Sequence, residues 1–196
     1  MKTVCLDPGH GGSDPGACGP TLRESDQTLD VCLRAREILS PYCNVIMTRT
    51  DDEYVGLTAR AEVSNRNDSD VFISYHFNSA DKDSANGFEI FTTPPENNSD
   101  KLAAKIWSAH RKQLPAQWDR GLKEANFTVI AKAACPAVLI EGEFIHTPAG
   151  EAFIIQNKQA MAHAVADGVL AYLGLDTASV LTLEQRVARI EEHLLI

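Results

Sequence analysis

A single α/β domain, with a mostly parallel, twisted central sheet flanked by helices and followed by a short C-terminal helix, is the fold the sequence predicts. Three observations lead to it. Short apolar runs rich in β-branched residues recur along the chain, and stretches with helical spacing separate them. In addition, 44% of the 196 residues are hydrophobic, enough for one core that needs no covalent staples.

In chain order, Thr3 to Leu6, Asn44 to Thr48, Val71 to His76, Phe127 to Ile130 and Ala137 to Glu141 read as strands of a largely buried sheet. Gly87 to Thr93 reads as another strand, at or near an edge. Helical spacing covers Glu24 to Leu39, Leu57 to Asn65, Asp100 to Leu114 and Gly150 to Leu173. In the last of these, Phe153, Met161, Ala164, Val165, Val169 and Tyr172 fall near one side, and Gly174 stands where a helix C-cap is expected. The domain is therefore expected to occupy 1–175. Over 176–196 a linker leads into a helix whose Leu183, Val187, Ile190 and Leu194 form a very short coiled-coil seam. Such a helix either folds back on the domain or pairs with a second copy to make a homo-oligomer.

The formal net charge of −9 excludes the phosphate-binding classes, because affinity for nucleic acid comes largely from clustered Lys and Arg. The glycines Gly9, Gly11 and Gly12 do not make a dinucleotide fingerprint, and the phosphate-loop motif does not occur. Five scattered cysteines, Cys5, Cys18, Cys32, Cys43 and Cys135, indicate neither a disulfide framework nor a thiolate zinc knuckle. The apolar run at Thr3 to Leu6 is too short for a signal-peptide core or a membrane span, so synthesis in the cytoplasm without membrane insertion is expected. A substrate outside the membrane would then be reached by release.

The chemistry gathers at three strand ends. Asp7-Pro8-Gly9-His10-Gly11-Gly12 runs from an apolar strand into glycines and a histidine; Ser74-Tyr75-His76-Phe77-Asn78 delivers a second histidine; Pro136 to Glu141 ends in a carboxylate. In open α/β sheets the carboxyl ends of parallel strands share one edge, and sites form outside it. Each residue also has a plain structural reading as the first solvated position after a buried run. Glu24 opens a predicted helix, where the helix dipole alone favours an acid.

Taken in order, these pieces, with Thr48-Arg49-Thr50-Asp51 and with Leu57 and Arg60, resemble the zinc amidases of the Amidase_3 family found in cell-wall hydrolases, sporulation lysins and phage endolysins. The resemblance spans roughly residues 2 to 173. It implies that His10, Glu24 and His76 bind one catalytic Zn2+ and that Glu141 is the catalytic carboxylate. It also implies hydrolysis of the amide between N-acetylmuramic acid and L-alanine in peptidoglycan, and thereby lysis of the cell wall. A phage endolysin is the first expectation and a sporulation lysin the second. On this reading the tail could also be a connection toward a wall-binding module.

The chain departs from the family at Glu143, where a glycine is usual, so Glu143 competes with Glu141 for the general-base role; strand alternation and the motif's register favour Glu141. His146 reads as a loop histidine rather than an extra ligand, and Cys18 as a free thiol rather than a thiolate ligand. Arg49 and Arg60 read as ion-pair partners within the scaffold. Asn78 is a candidate substrate contact that could equally hold its own loop. Two other functions stay open: a zinc peptidase or carboxypeptidase cutting within the stem, and an inactive wall-binding module, the latter disfavoured because all four site residues are present.

Overall fold

A computed structural model of the protein describes residues 1–175. The helix expected over 176–196, with its seam and any oligomer formed through it, lies outside the described residues. The elements are β1 (Thr3–Pro8), α1 (Glu24–Leu39), β2 (Asn44–Met47), α2 (Leu57–Arg66), β3 (Val71–Asn78), β4 (Phe88–Thr92), α3 (Asn98–Gln113), β5 (Asp119–Glu124), α4 (Thr128–Ala131), β6 (Ala137–Phe144) and α5 (Pro148–Leu173). The strands form one sheet in the order β2-β1-β3-β6-β4-β5. β4 against β6 is its antiparallel pairing, and every other neighbouring pair is parallel. This is the α/β class expected from the sequence.

Alternation along the strands divides the two faces. Val4, Leu6, Ile73, Tyr75, Phe77, Ile90, Val138 and Ile140 point to a large core beneath α1, α3 and α5. Cys5, Phe72 and Leu139 point the other way, into a small cluster with Val129 and Ile130 of α4. α5 is apolar over much of its circumference because it packs against both α1 and α3. A Cβ at its Gly168 would collide with the backbone of Ile106, so the α3–α5 crossing depends on that glycine. Gly174 ends α5 in the left-handed conformation at φ 67°, as a C-cap should. α3 begins at Asn98, two residues before the expected start, because Asn97 and Asp100 form a capping box. No helix among the described residues is long and apolar enough to cross a membrane.

Two expectations need correction. Phe127 to Ile130 is not a strand: Thr128–Ala131 is a single helical turn, and Val129 and Ile130 are buried against the sheet. A run of four residues, Phe127-Thr128-Val129-Ile130, is too short to distinguish the two periods, and here the turn packs against α2 as a helix. β5 was not expected at all. Its sequence, Asp-Arg-Gly-Leu-Lys-Glu, has no apolar alternation, because it is an edge strand with no fully buried residue.

Candidate active site

His10 and His76 lie at the carboxyl ends of β1 and β3, adjacent parallel strands in which Pro8 pairs with Tyr75. Glu24, the first residue of α1, stands between them. Its Oε1 is 3.1 Å from His10 Nε2 and 3.0 Å from His76 Nδ1, and the two ring nitrogens are 3.2 Å apart. Three donors at the corners of so small a triangle fit a single cation: ligands 2.0–2.2 Å from a tetrahedral ion stand roughly 3.3 Å from each other. Among the described residues this is the cluster of metal-ligating side chains that converges.

Local backbone features bring the donors together. A Cβ on Gly9 would strike the His76 ring, and one on Gly16 would lie 2.6 Å from both Glu24 Oε2 and the His10 ring. His10 itself adopts φ 61°, a left-handed conformation that costs a non-glycine residue energy and is tolerated where surrounding contacts over-determine it. Those contacts come from two buried arginines. Arg60 donates to the carbonyls of Pro8 (2.6 Å), His10 (2.7 Å) and Val55 (2.8 Å), and pairs with Asp7 at 2.8 Å. Arg49 donates to the carbonyls of Pro8 (3.0 Å), Gly9 (2.9 Å), Ser25 (2.7 Å) and Asp51 (2.9 Å), tying the His10 turn to the start of α1. Arg60 is thus the ion-pair partner expected, whereas Arg49 is a collector of carbonyls.

The carboxylate of Glu24 is locked by the amides of Ala17 (2.8 Å) and Phe77 (3.0 Å). Burial alone would raise its pKa, but the hydrogen bonds with His10 and His76 outweigh that and bring it down to about 2. Glu24 is therefore an anion at neutral pH. Asp14, not foreseen from the sequence, accepts a hydrogen bond from His10 Nδ1 at 2.9 Å. It fixes the tautomer that presents Nε2 to the other two donors. The available signal was an acid four residues beyond a histidine in a glycine-rich loop.

Glu141 stands one strand further along, paired with His76 in the β3–β6 register. Its Oε2 is buried and has no hydrogen-bond partner. Burial, reinforced by the charges of Glu24 and Glu89, pushes its pKa well above the ordinary carboxylate range. Glu143 is placed quite differently. Its oxygens accept from Gly87 N (2.6 Å), Phe144 N (2.8 Å) and Gln117 Nε2 (2.8 Å), which leaves it a structural anchor. Strand alternation, which the sequence reading took to favour Glu141, does not discriminate the two, because residues 141 and 143 would share a face; the register shift between His76 and Asn78 is what separates them.

Asn78 donates to Glu89 Oε1 at 2.7 Å and accepts from Ser79 N at 2.8 Å, so its side chain is engaged with its own surroundings. His146 Nε2 lies 3.0 Å from the Lys82 carbonyl, outside the His10–Glu24–His76 group. Cys18 is exposed and free, and also outside that group.

Residues 4–171 match the family model for N-acetylmuramoyl-L-alanine amidase, Amidase_3. The chain is 37% identical over 150 residues to the sporulation-specific N-acetylmuramoyl-L-alanine amidase of Bacillus subtilis (strain 168), covering 75% of this chain and 58% of that protein. It is 34% identical over 177 residues to the amidase LytC of the same organism, covering 87% of this chain and 35% of LytC. The chain thus spans little more than half, or less, of the length of these curated relatives. Among solved structures, the catalytic domain of CwlV from Bacillus (Paenibacillus) polymyxa var. colistinus superposes with a TM-score of 0.85 at 30% identity, over 90% of this chain and 100% of that one. An N-acetylmuramoyl-L-alanine amidase from Clostridium difficile 630 gives 0.85 at 34% identity, over 88% and 97%. With most of its length matched in sequence and in fold, the chain belongs to the Amidase_3 family of N-acetylmuramoyl-L-alanine amidases.

Proposed function

We propose that the protein is a zinc-dependent N-acetylmuramoyl-L-alanine amidase that hydrolyses the amide between the lactyl group of muramic acid and the L-alanine of the peptide stem. The observation that carries this reading is the triangle of two imidazole nitrogens and one carboxylate oxygen, with an unbonded, buried carboxylate oxygen on the adjoining strand. His10 Nε2, Glu24 Oε1 and His76 Nδ1 would hold the ion, and imidazole with carboxylate suits zinc among common divalent metals. Zinc held by three protein ligands supplies Lewis acidity, which lowers the pKa of water and polarises a carbonyl.

The remaining work falls to the chain's own groups. Glu141 Oε2, held among protein atoms with its proton affinity raised, takes the proton of the attacking water and returns it to the departing nitrogen. Asp14 keeps His10 in its ligating tautomer, and Glu24, kept anionic by its neighbours, offsets the charge of the ion. The products are a lactyl carboxylate on the glycan and a stem with a free amino-terminal alanine. Peptidoglycan is accordingly the partner. We infer further that the activity lyses the wall, in a phage endolysin or in a sporulation enzyme; the sporulation-specific relative supports the second setting.

Mass spectrometry of digested peptidoglycan tests the reaction. Intact stems with a new amino-terminal alanine, lost with a chelator and restored by zinc, and lost in Glu141→Ala, are the expected result. Shortened stems would indicate a peptidase, and wall binding without release an inactive module. Clearing of whole-cell suspensions by added protein tests the lytic role.

A further inference from the structure

The site described so far ends at Glu141, but a charged network continues across the sheet. Glu141 pairs with Glu89 in β4, and Glu89 pairs with Gly121 in β5. His76, Glu141 and Glu89 therefore form one row on the face that α2 and α4 cover only in part. In the β4–β5 pairing Phe88 meets Asp119 while Glu89 meets Gly121, so Arg120 is an inserted residue. Gly121 takes the left-handed conformation, φ 83°, that such a bulge uses.

The insertion aims Arg120 at Glu89: its Nε donates to Glu89 Oε2 at 2.7 Å, and its guanidinium lies 4.9 Å from the centroid of the Phe144 ring. Lys123 donates to the same oxygen and stands 5.7 Å from the centroid of the Phe91 ring. Asn78 occupies the other oxygen. One buried carboxylate thus gathers two cations, leaving a net charge of about +1 by the pairing of unit charges. Both cationic side chains keep roughly a third of their surface exposed, 31% and 36%. Tying β5 to β4 requires only one cation. Among the described residues, no hydrogen bond engages the two terminal nitrogens of Arg120, the pair suited to a bidentate grip on a second carboxylate.

The polarity of the reaction gives this cluster a role. The group that protonates the departing nitrogen must stand on the leaving-group side, so the peptide stem extends from the His10–Glu24–His76 triangle over Glu141 toward β4 and β5. The glycan half then lies toward Tyr54, Val55 and Leu57, which line the pocket beside His10 and His76. Neighbouring strands are about 4.8 Å apart, so the cations gathered at Glu89 lie on the order of 10 Å from His76, the reach of a stem extending about two residues past the cut.

We propose that Arg120 and Lys123 form a subsite for a free carboxylate on the second residue of the peptide stem. The inference rests on the amidase reading. Two soluble muramoyl-peptides that differ only in whether that carboxyl is free or converted to the amide test it. The wild type is expected to cleave the free acid with kcat/KM about tenfold higher, a charge-assisted hydrogen bond's worth, carried in KM. Arg120→Gln and Lys123→Gln should bring the ratio toward unity with unchanged thermal midpoints, and Arg120→Lys should retain part of it. Equal cleavage of both substrates by the wild type overturns the subsite while leaving the amidase reading standing. An equal loss on both substrates in Arg120→Gln also overturns it, reducing the cluster to a tie between strands. Cleavage of neither substrate by the wild type overturns both readings.

Discussion

The two faces of the sheet are built from alternate residues of the same strands, and they meet different demands. Beneath α1, α3 and α5 the strands contribute Leu6, Ile73, Phe77 and Ile140, all at most 2% exposed, and side chains there meet mostly carbon. On the other face the same strands contribute Asp7, Ser74, His76 and Glu141, with Glu89 from β4. There Asp7 is bonded to Thr48, Ser74 and Arg60, while the oxygen of Glu141 has no partner. The apolar face gains stability from burial. The polar face gives some of it up to hold charges, and two short helices, α2 and α4, cover it only in part, which on the proposed amidase reading leaves it open to substrate.

The largest effect should come from the least bonded group. Glu141→Gln should lower kcat by about 10²–10⁴-fold, the range for a positioned acid–base group, while the melting temperature stays level or rises because a buried, unpaired carboxylate has been made neutral. Muropeptide release and a thermal melt on the same preparation decide it; a large drop in melting temperature would show that Glu141 is structural and break the contrast. Arg60→Met should instead cost stability, about 3–5 kcal/mol in urea unfolding, because it strands the buried Asp7 without its charged partner and frees the carbonyls of Pro8 and His10 at the His10 turn and of Val55 before α2.

One group buried on the apolar side titrates on the acid side of neutrality. His110, stacked on Phe88 and donating to Gln117, has its pKa lowered to about 4, with burial the main cause. Since its folded pKa lies below the unfolded value of 6.5, its contribution is complete above pH 6.5 and is lost as pH falls toward 4. The loss should amount to about 3 kcal/mol, and His110→Gln should flatten that part of the unfolding profile. The smallest effect is expected at Cys18: with its thiol exposed and outside the ligand triangle, Cys18→Ser should leave zinc affinity unchanged in a competition titration.

Particular residues show what could be read beforehand. α1 spans Glu24–Leu39 as its spacing required, and β1, β3 and β6 coincide with apolar runs, because burial on both faces leaves a continuous hydrophobic signature. His10, His76 and Glu141 stand out as candidates because they end or follow such runs, and Glu24 only through the order of the family's motifs; the structure brings His10, Glu24 and His76 together. Asp14 escaped notice because an acid in a polar loop looks like any other, and only its 2.9 Å contact with His10 gives it a task. Arg49 looked like an ion-pair partner because charge is visible in a sequence and backbone carbonyls are not.

By itself the sequence determined the α/β class, the positions of the buried strands and the residue types that converge, since composition and periodicity record which side chains avoid water. Tertiary structure alone decided the helical turn of α4, the edge strand β5, the separation of Glu141 from Glu143 and the row from His76 to Arg120. These depend on register and bulges, set by pairing between segments far apart in the chain, and a one-residue shift in such pairing changes what a side chain faces without changing any local preference.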